Sequence, residues 1–475
     1  MSLPPFIRSK IVCTIGPASS SLGILKAMKE AGMDVARINM SHGEPEDNRE
    51  LFNKLREIDD LAILVDIPGP KIRLGEFPNR YMLHVGDNVH FTVEDIPGSG
   101  TELPVSYSKL PQEVRVGGHV FINDGIIDIE VTEVDEDLKG FSGKVCSGGE
   151  VSSRKGVNAP GAELSMRPPT DKDVKAIRFG VEVECDWFAV SFIRSARDVE
   201  RVKEKIEEAG GDQPVISKIE HGDSVNNIRE IIAASDGVMV ARGDLGIEIP
   251  PWDVPLLQKK IIAACNRRGR PVIVATQMLE SMTSNPRPTR AEASDVANAL
   301  LDGADAVMLS GETAIGHYPV ETVRVMNNIG WVVQEQITQT EHIGLKGLPI
   351  TDVIGDLANR AVDAVEPAAI IVVTRSGVSA LMVSKHRPKT RILAVARDPK
   401  ISRRMHMYWG VYPMDVEWTD DRDQLITRAI LRSIEKEHIY EEDVIAVVSG
   451  STLIKPGKTS TLEILRVQDV LERVL

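Results

Sequence analysis

VISKIEH (Val215–His221), VMVARGD (Val238–Asp244) and VIVATQ (Val272–Gln277) share one design: an apolar, β-branched run that stops abruptly on polar residues. Parallel strands of an α/β sheet or barrel share one carboxyl-terminal rim, so endings of this kind converge where ligands bind. Working outward, similar runs occur at Ile11–Ile15, Val35–Ile38, Ala62–Ile67, Trp187–Phe192, Val215–Ile219, Gly237–Ala241, Pro271–Ala275 and Ala306–Leu309. The intervals mostly carry helical periodicity, as in LGILKAMKEAG and DVERVKEKIEEAGG. This alternation predicts a (β/α)8 barrel, a TIM barrel in common usage, with an open doubly wound sheet as the alternative.

At roughly 150 residues per domain, 475 residues suggest about three units. We expect the catalytic barrel over 1–68 and 164–340. Residues 69–163 read as an inserted small β-barrel: VHFTV and GIIDIEVTEV alternate with period two, and turns are signalled at Pro97-Gly98, Gly117-Gly118 and Asn123-Asp124-Gly125. Its Pro/Gly-rich ends suit a lid that swings over the barrel mouth, although a rigid decoration reads equally well. Residues 341–475 read as a C-terminal α/β domain, in which AIIVVT, RILAVA and VIAVVS alternate with amphipathic segments.

No apolar run approaches the roughly 20 residues of a membrane span, and MSLPPFIRSK lacks the apolar stretch of a secretory signal. We therefore expect a soluble, cytoplasmic protein with no membrane partner. The four cysteines lack CxxC or zinc spacing, which argues for free thiols. A formal charge of -14 repels polyanions, so nucleic acid is not expected as a partner, while a local basic pocket stays open.

Lys218 and Glu220 lie two apart, on the same face of a strand. Glu220 and Asp244 would supply hard oxygen ligands of the kind that hold magnesium or manganese when substrate and water complete the shell. A plain Lys218–Glu220 ion pair is the alternative. The backbone of ARGDLG, around Gly243, could receive a carboxylate or phosphate, or could be only a turn. Arg37 and Asn39 repeat the two-residue spacing at the second strand, Ser41 and His42 follow, Asp66 ends the third, and Arg73 comes soon after. Arg37, Arg73 and Lys218 around a divalent ion suit a transferring phosphoryl group, where catalysis is mostly positioning and charge neutralisation; surface salt bridges are the simpler reading of each arginine alone. Thr276, Ser310 and Glu312 could orient water or relay a proton, with helix N-capping the competing role for Ser310 and Thr276.

Taken jointly, TIGPAS (from Thr14), ARINMSHG (from Ala36), ISKIEH (from Ile216), VMVARGDLGIEIP (from Val238), ATQMLESM (from Ala275), PRPTRAEASDVANA (from Pro286) and LSGETAIGHYP (from Leu309) resemble the pyruvate kinase family along essentially the whole chain. The resemblance implies a glycolytic transfer of the phosphoryl group of phosphoenolpyruvate to ADP, giving ATP and an enolate that is protonated to pyruvate. It implies Glu220 and Asp244 as ligands of Mg2+ or Mn2+, and Lys218 as the cation on the migrating phosphoryl group and enolate oxygen. Arg37 and Arg73 match arginines near the phosphates; Gly243, Asp244 and Thr276 match the substrate carboxylate and methylene pocket. Asn39, His42 and Arg73 match the nucleotide side, and Thr276, Ser310 and Glu312 the protonation relay. A homotetramer is also implied.

Two departures stand out. Potassium-dependent members resemble DTKGPEIR where this chain reads DIPGPKIR. Asn39, Ser41 and Asp66 of the monovalent-cation site survive, but Ile67 replaces an oxygen ligand and Lys71 the glutamate, so we expect the Lys71 ammonium to stand in for K+ and potassium not to be required. Ser195 replaces a lysine that many relatives carry near the nucleotide. In the terminal domain Thr374, Arg375, Ser376, Gly377 and Ser379 resemble a loop that binds an anionic phosphate effector in regulated relatives, with Lys455 and Lys458 nearby in sequence. The alternatives are a metal-dependent lyase or aldolase acting through a pyruvate enolate, which would not need ADP, and a silent metabolite sensor, against which the intact Lys218, Glu220, Asp244 and Thr276 count.

Overall fold

The computed structural model describes residues 6–41, 43–337, 348–450 and 459–474. Eight strands, β1 (Lys10–Thr14), β2 (Val35–Asn39), β3 (Ala62–Ile67), β4 (Trp187–Val190), β5 (Val215–Ile219), β6 (Gly237–Ala241), β7 (Val272–Ala275) and β8 (Ala306–Leu309), form a closed barrel in which sequence neighbours are spatial neighbours and β8 returns to β1. Every pair is parallel. The expected (β/α)8 barrel is thus present. The fourth run is shorter than the apolar stretch implies: it ends at Val190 because Phe192 takes φ 58° and turns the chain.

Period-two alternation sorts the barrel residues. Outward-facing Ile63, Val65, Ile67, Val238, Val240 and Leu309 pack with the surrounding helices in one continuous core. Inward-facing Val12, Val35, Leu64, Trp187, Ile216, Met239 and Ile273 fill the floor. One step of two further along the same inward registers come Thr14, Arg37, Asp66 and Lys218, so the apolar plug becomes polar at the rim without any change of face.

The floor is tied off with a repeating device. Asp34, Asp186, Asp236 and Asp305 each immediately precede an even-numbered strand, and they accept the amides of Ile11, Ile63, Val215 and Val272 at 2.9, 2.8, 3.0 and 2.9 Å. These amides belong to the first or second residue of the odd-numbered strands, where a buried N–H needs a partner.

The insert forms an open seven-stranded sheet and a two-stranded one. The larger sheet curls until its edges meet at the Leu74–Val105 bridge, where Gly75 N–H donates to Pro104 O at 2.7 Å and Ser106 N–H to Arg73 O at 2.9 Å. The expected small barrel is therefore a curled sheet that touches itself along one seam.

The C-terminal unit is a five-stranded sheet, parallel except for Thr459–Arg466 at one edge. Its core is continuous with the barrel floor. Trp187 Nε1 donates to Arg404 O at 3.1 Å and its ring meets Tyr408 edge-on. Ion pairs surround this contact: Arg403–Asp186 at 2.8 Å, Arg404–Asp212 at 2.6 Å and the fully buried Arg387–Asp305 at 2.7 Å.

Removing one partner of a buried pair leaves the other charge uncompensated. Asp305→Ala strands Arg387 and the Val272 amide, so the urea midpoint should fall by the equivalent of about 3–5 kcal/mol; a change near zero would show that water or another anion replaces the carboxylate.

Candidate active site

The carboxyl-terminal rim gathers a chain of charges across five strands. Thr14 Oγ1 donates to Leu309 O of β8 at 2.9 Å and accepts Arg37 Nη1 at 2.7 Å. Arg37 Nε donates to Asp66 Oδ2 at 2.7 Å, and Lys218 Nζ reaches Asp66 Oδ1 at 3.3 Å, Glu220 Oε1 at 2.9 Å and Ser191 Oγ at 2.7 Å. All of these side chains are buried.

Burial works against the charge on Lys218, but Asp66 and Glu220 outweigh it and hold the ammonium well above the usual lysine range. For Asp66 burial pushes upward and Arg37 with Lys218 more than reverse it, so the carboxyl lies below its ordinary value. Glu220 is raised, because burial and the nearby Asp244 and Asp66 charges outweigh Lys218. A carboxylate penalised in this way is relieved by an added cation.

Asp244 stands on the short helix Arg242–Glu248 that follows β6 and bears on the electrostatics of both Lys218 and Glu220. Its carboxylate lies 3.6 Å from the ammonium of Lys71 and is partly exposed. Lys71 thus turns toward the site rather than to solvent. Glu220 and Asp244 offer two hard oxygen donors on neighbouring strand ends, one dry and one open, the arrangement a magnesium-type ion uses when substrate and water complete its shell. The Lys218–Glu220 ion pair expected as the alternative is also formed here.

The loop after β7 is strained. Thr276 and Gln277 have φ 70° and 54°, an outlier for a β-branched residue. Thr276 Oγ1 accepts the Gly243 amide at 2.8 Å and donates to Ala275 O at 2.6 Å, so it fixes the start of the rim helix and caps none of its own. Arg242, to which the sequence reading assigned no role, locks this loop: Nη2 donates to Thr276 O at 2.8 Å and Gln277 O at 3.3 Å, while Nη1 pairs with Asp295 at 2.7 Å. Ser310 is the N-cap of Gly311–Ala314 but makes no side-chain cap bond. Fully buried Glu312 accepts the amides of Leu279 at 3.1 Å and Ser310 at 2.7 Å, joining the loops after β7 and β8.

Other expected residues fall differently. Arg73 lies on the lid strand Ile72–Arg73 and donates to Arg154 O at 3.1 Å, away from the Lys218 cluster. Asn39 Oδ1 accepts both the amide and hydroxyl of Ser41, at 3.1 and 2.8 Å. Ile67 points outward into the helix-facing core, so its replacement removes no side-chain oxygen from the site. Ser195 caps helix Ala196–Glu208 through Asp198. His42, Lys455 and Lys458 lie outside the described residues. In the Thr374–Ser379 loop, Thr374 Oγ1 accepts the Gly377 amide at 3.0 Å, Arg375 is 3.7 Å from Asp420 and Ser379 bonds Thr459. Ser376 borders a cavity of about 400 Å3 between this domain and the barrel floor, which Lys203, Arg270 and Arg404 also line. Thr14, Ser191 and Arg242 were missed; their signal is the inward register of each strand and the residue adjoining Gly243.

Fold and site together define a (β/α)8-barrel phosphotransferase. Residues 6–323 match the family model "Pyruvate kinase, barrel domain" and 352–465 match "Pyruvate kinase, alpha/beta domain". The chain is 39% identical to the pyruvate kinase of Bacillus licheniformis and to that of Geobacillus stearothermophilus, each over 98% of this chain and 81% of the relative. It is 40% identical to pyruvate kinase 2 of Synechocystis, over 98% of this chain and 80% of that protein. The chain belongs to the pyruvate kinase family.

At the end of the rim helix, Glu248 joins the insert to the barrel: Oε1 accepts Asn158 Nδ2 of the insert at 3.3 Å and Oε2 lies 3.5 Å from His221 Nε2. Burial pushes the Glu248 carboxyl up to about 7, and burial with the Arg194 charge holds the His221 imidazole down to about 4. The two oppose each other in stability. Glu248 binds its proton more tightly when folded, so its contribution is lost as pH rises from 4.5 to about 7. His221 stays neutral when folded, so its contribution is lost as pH falls from 6.5 to about 4. In EDTA-containing buffer, Glu248→Gln should make stability rise with pH across this shared window, relative to the parent, by up to about 1.4 kcal/mol per pH unit. Parallel urea-midpoint profiles for parent and variant would show that Glu248 is already ionised.

Proposed function

We propose that the chain transfers the phosphoryl group of phosphoenolpyruvate to ADP with Mg2+ or Mn2+ held by Glu220 and Asp244. The observation that carries this reading is the buried Lys218 ammonium in contact with both Asp66 and Glu220, beside Arg37. Glu220 and Asp244 would hold the divalent ion, which would supply positive charge against the charge on the transferring group.

An ADP β-phosphate oxygen attacks phosphorus, and the bond from phosphorus to the enol oxygen breaks. Lys218 meets the negative charge on the phosphoryl oxygens and then on the enolate oxygen as it develops, in a site from which water is largely excluded. Arg37, already oriented by Thr14 and Asp66, presents its guanidinium to the phosphates. Helix-start backbone at Gly243 and Asp244, positioned by Thr276, receives the substrate carboxylate. The enolate carbon then takes a proton delivered through water and the Thr276 and Ser310 hydroxyls, with Glu312 holding their loops in register. Arg73 and the Asn39–Ser41 turn serve the nucleotide side, Arg73 after the lid closes and releases it from Arg154.

We infer that potassium is not needed. Lys71 is aimed at Asp244 and supplies a fixed positive charge beside the phosphates. An anionic phosphate effector at Thr374–Ser379 is supported by the hydroxyl-rich turn and the neighbouring Lys203, Arg270 and Arg404. Sugar phosphates and nucleoside monophosphates should shift half-saturation by phosphoenolpyruvate; an unchanged curve with each would remove that site.

In a coupled assay for pyruvate with Mg2+, turnover requires ADP, and Lys218→Met loses at least about a hundredfold in kcat, the scale of one lost electrostatic stabiliser. Pyruvate release from an oxo acid without ADP would favour the lyase reading instead. The parent should work fully in potassium-free buffer. Lys71→Glu should lose about a hundredfold there and regain activity on adding K+. Orders-of-magnitude stimulation of the parent by K+ would contradict the tethered-cation reading.

A further inference from the structure

We propose a transition-metal site on the lid, formed by His119, Asp128 and Cys146 and suited to a borderline ion such as Zn2+. One ligand atom from each lies within 4.8 Å of the other two. The residues come from three adjacent antiparallel strands, His119–Ile122, Ile127–Val134 and Gly140–Ser147, through pairings in which Phe121 faces Asp128 and Ser147 faces Asp128. Val120, Ile129 and Val145 point into the lid core. By period-two alternation His119 and Asp128 share the outer face, and Cys146, at an irregularity of its strand, is exposed on the same side.

Two features prepare this group for an ion. Cys146 is the extra residue of a β-bulge between Val145 and Ser147, the device by which a strand re-aims a side chain. His119 is held by Asp128, Nδ1 to Oδ1 at 2.7 Å, and stacks on Phe121 with ring centroids 6.2 Å apart. An imidazole, a carboxylate and a thiolate with an open fourth position for water match zinc-like preferences, with the ion taking the place of the proton shared by His119 and Asp128. Binding converts the Cys146 thiol to thiolate and releases its proton to the buffer. The other three cysteines are buried, so Cys146 is the thiol an incoming ion meets.

The position matters for the lid. Asp128 lies just beyond the Asn123-Asp124-Gly125 turn, where Gly125 packs toward Ile247 of the helix that carries Asp244. An ion clamping the three strands would stiffen the sheet directly behind that contact.

Cobalt(II) titration of the full chain, in a non-thiol reductant after chelator treatment, provides the test. We expect thiolate-to-cobalt charge-transfer absorbance that saturates at one ion per chain and is displaced by Zn2+. Cys146→Ser should abolish it, and His119→Ala should weaken binding by at least about tenfold. Absence of the band, or equal affinity in the parent and His119→Ala, would overturn the site; the second result would reduce it to a lone reactive thiol. The assay reads sulfur ligation, so oxygen-only binding at Glu220 and Asp244 leaves it unchanged.

Discussion

A buried ammonium is stable only if the protein returns what solvent no longer supplies. At Lys218 that return comes from Asp66 and Glu220, with Ser191 as a neutral acceptor. Asp66 is shared with Arg37, Arg37 with Thr14, and Thr14 with the carbonyl of Leu309, so the charge network doubles as a belt around half the rim. Each link sits on a different strand. Placing the ammonium therefore requires the barrel to close in this register, and it leaves Glu220, paired with Lys218 yet raised by burial and by the nearby Asp244 and Asp66 charges, at the edge of the network.

The other half of the rim is held differently. Arg242, anchored on Asp295, binds backbone carbonyls of the β7 loop and Glu312 binds backbone amides of the β7 and β8 loops, so side chains there mainly hold the path of the chain. This explains how Thr276 persists at φ 70°: neighbouring contacts over-determine a conformation that is costly in isolation. The floor follows a third logic. Four aspartates satisfy strand-opening amides, and Asp186 and Asp305 also bind arginines of the C-terminal domain. A change in that domain thus bears on the same strands whose opposite ends carry the chemistry. The inserted domain meets the rim helix through Asn158 and Glu248, so the helix bearing Asp244 is in contact with both the insert and the barrel.

Much of this was legible one residue at a time. Apolar runs ending on Lys218, Glu220 and Asp244 announce a rim, because a parallel strand buried on both faces must be apolar until it leaves the barrel. The two-residue spacing of Lys218 and Glu220, or of Arg37 and Asn39, marks shared faces. Barrel strand ends were legible to within one residue, and the two-residue exception at Phe192 reflects a positive φ that an apolar side chain does not advertise.

The sequence by itself determined which residues alternate inward, and with them the barrel, the insert and the chemistry of the rim, because period and polarity are local properties. Only the tertiary structure decided partnership. It paired Asp66 with both Arg37 and Lys218, turned Lys71 to Asp244 and Ile67 away from the site, and sent Arg73 to the lid backbone. It also brought His119, Asp128 and Cys146 together across three strands. Such contacts depend on strand order and bulges, which sum over the whole chain and leave no signature in the spacing of the residues they join.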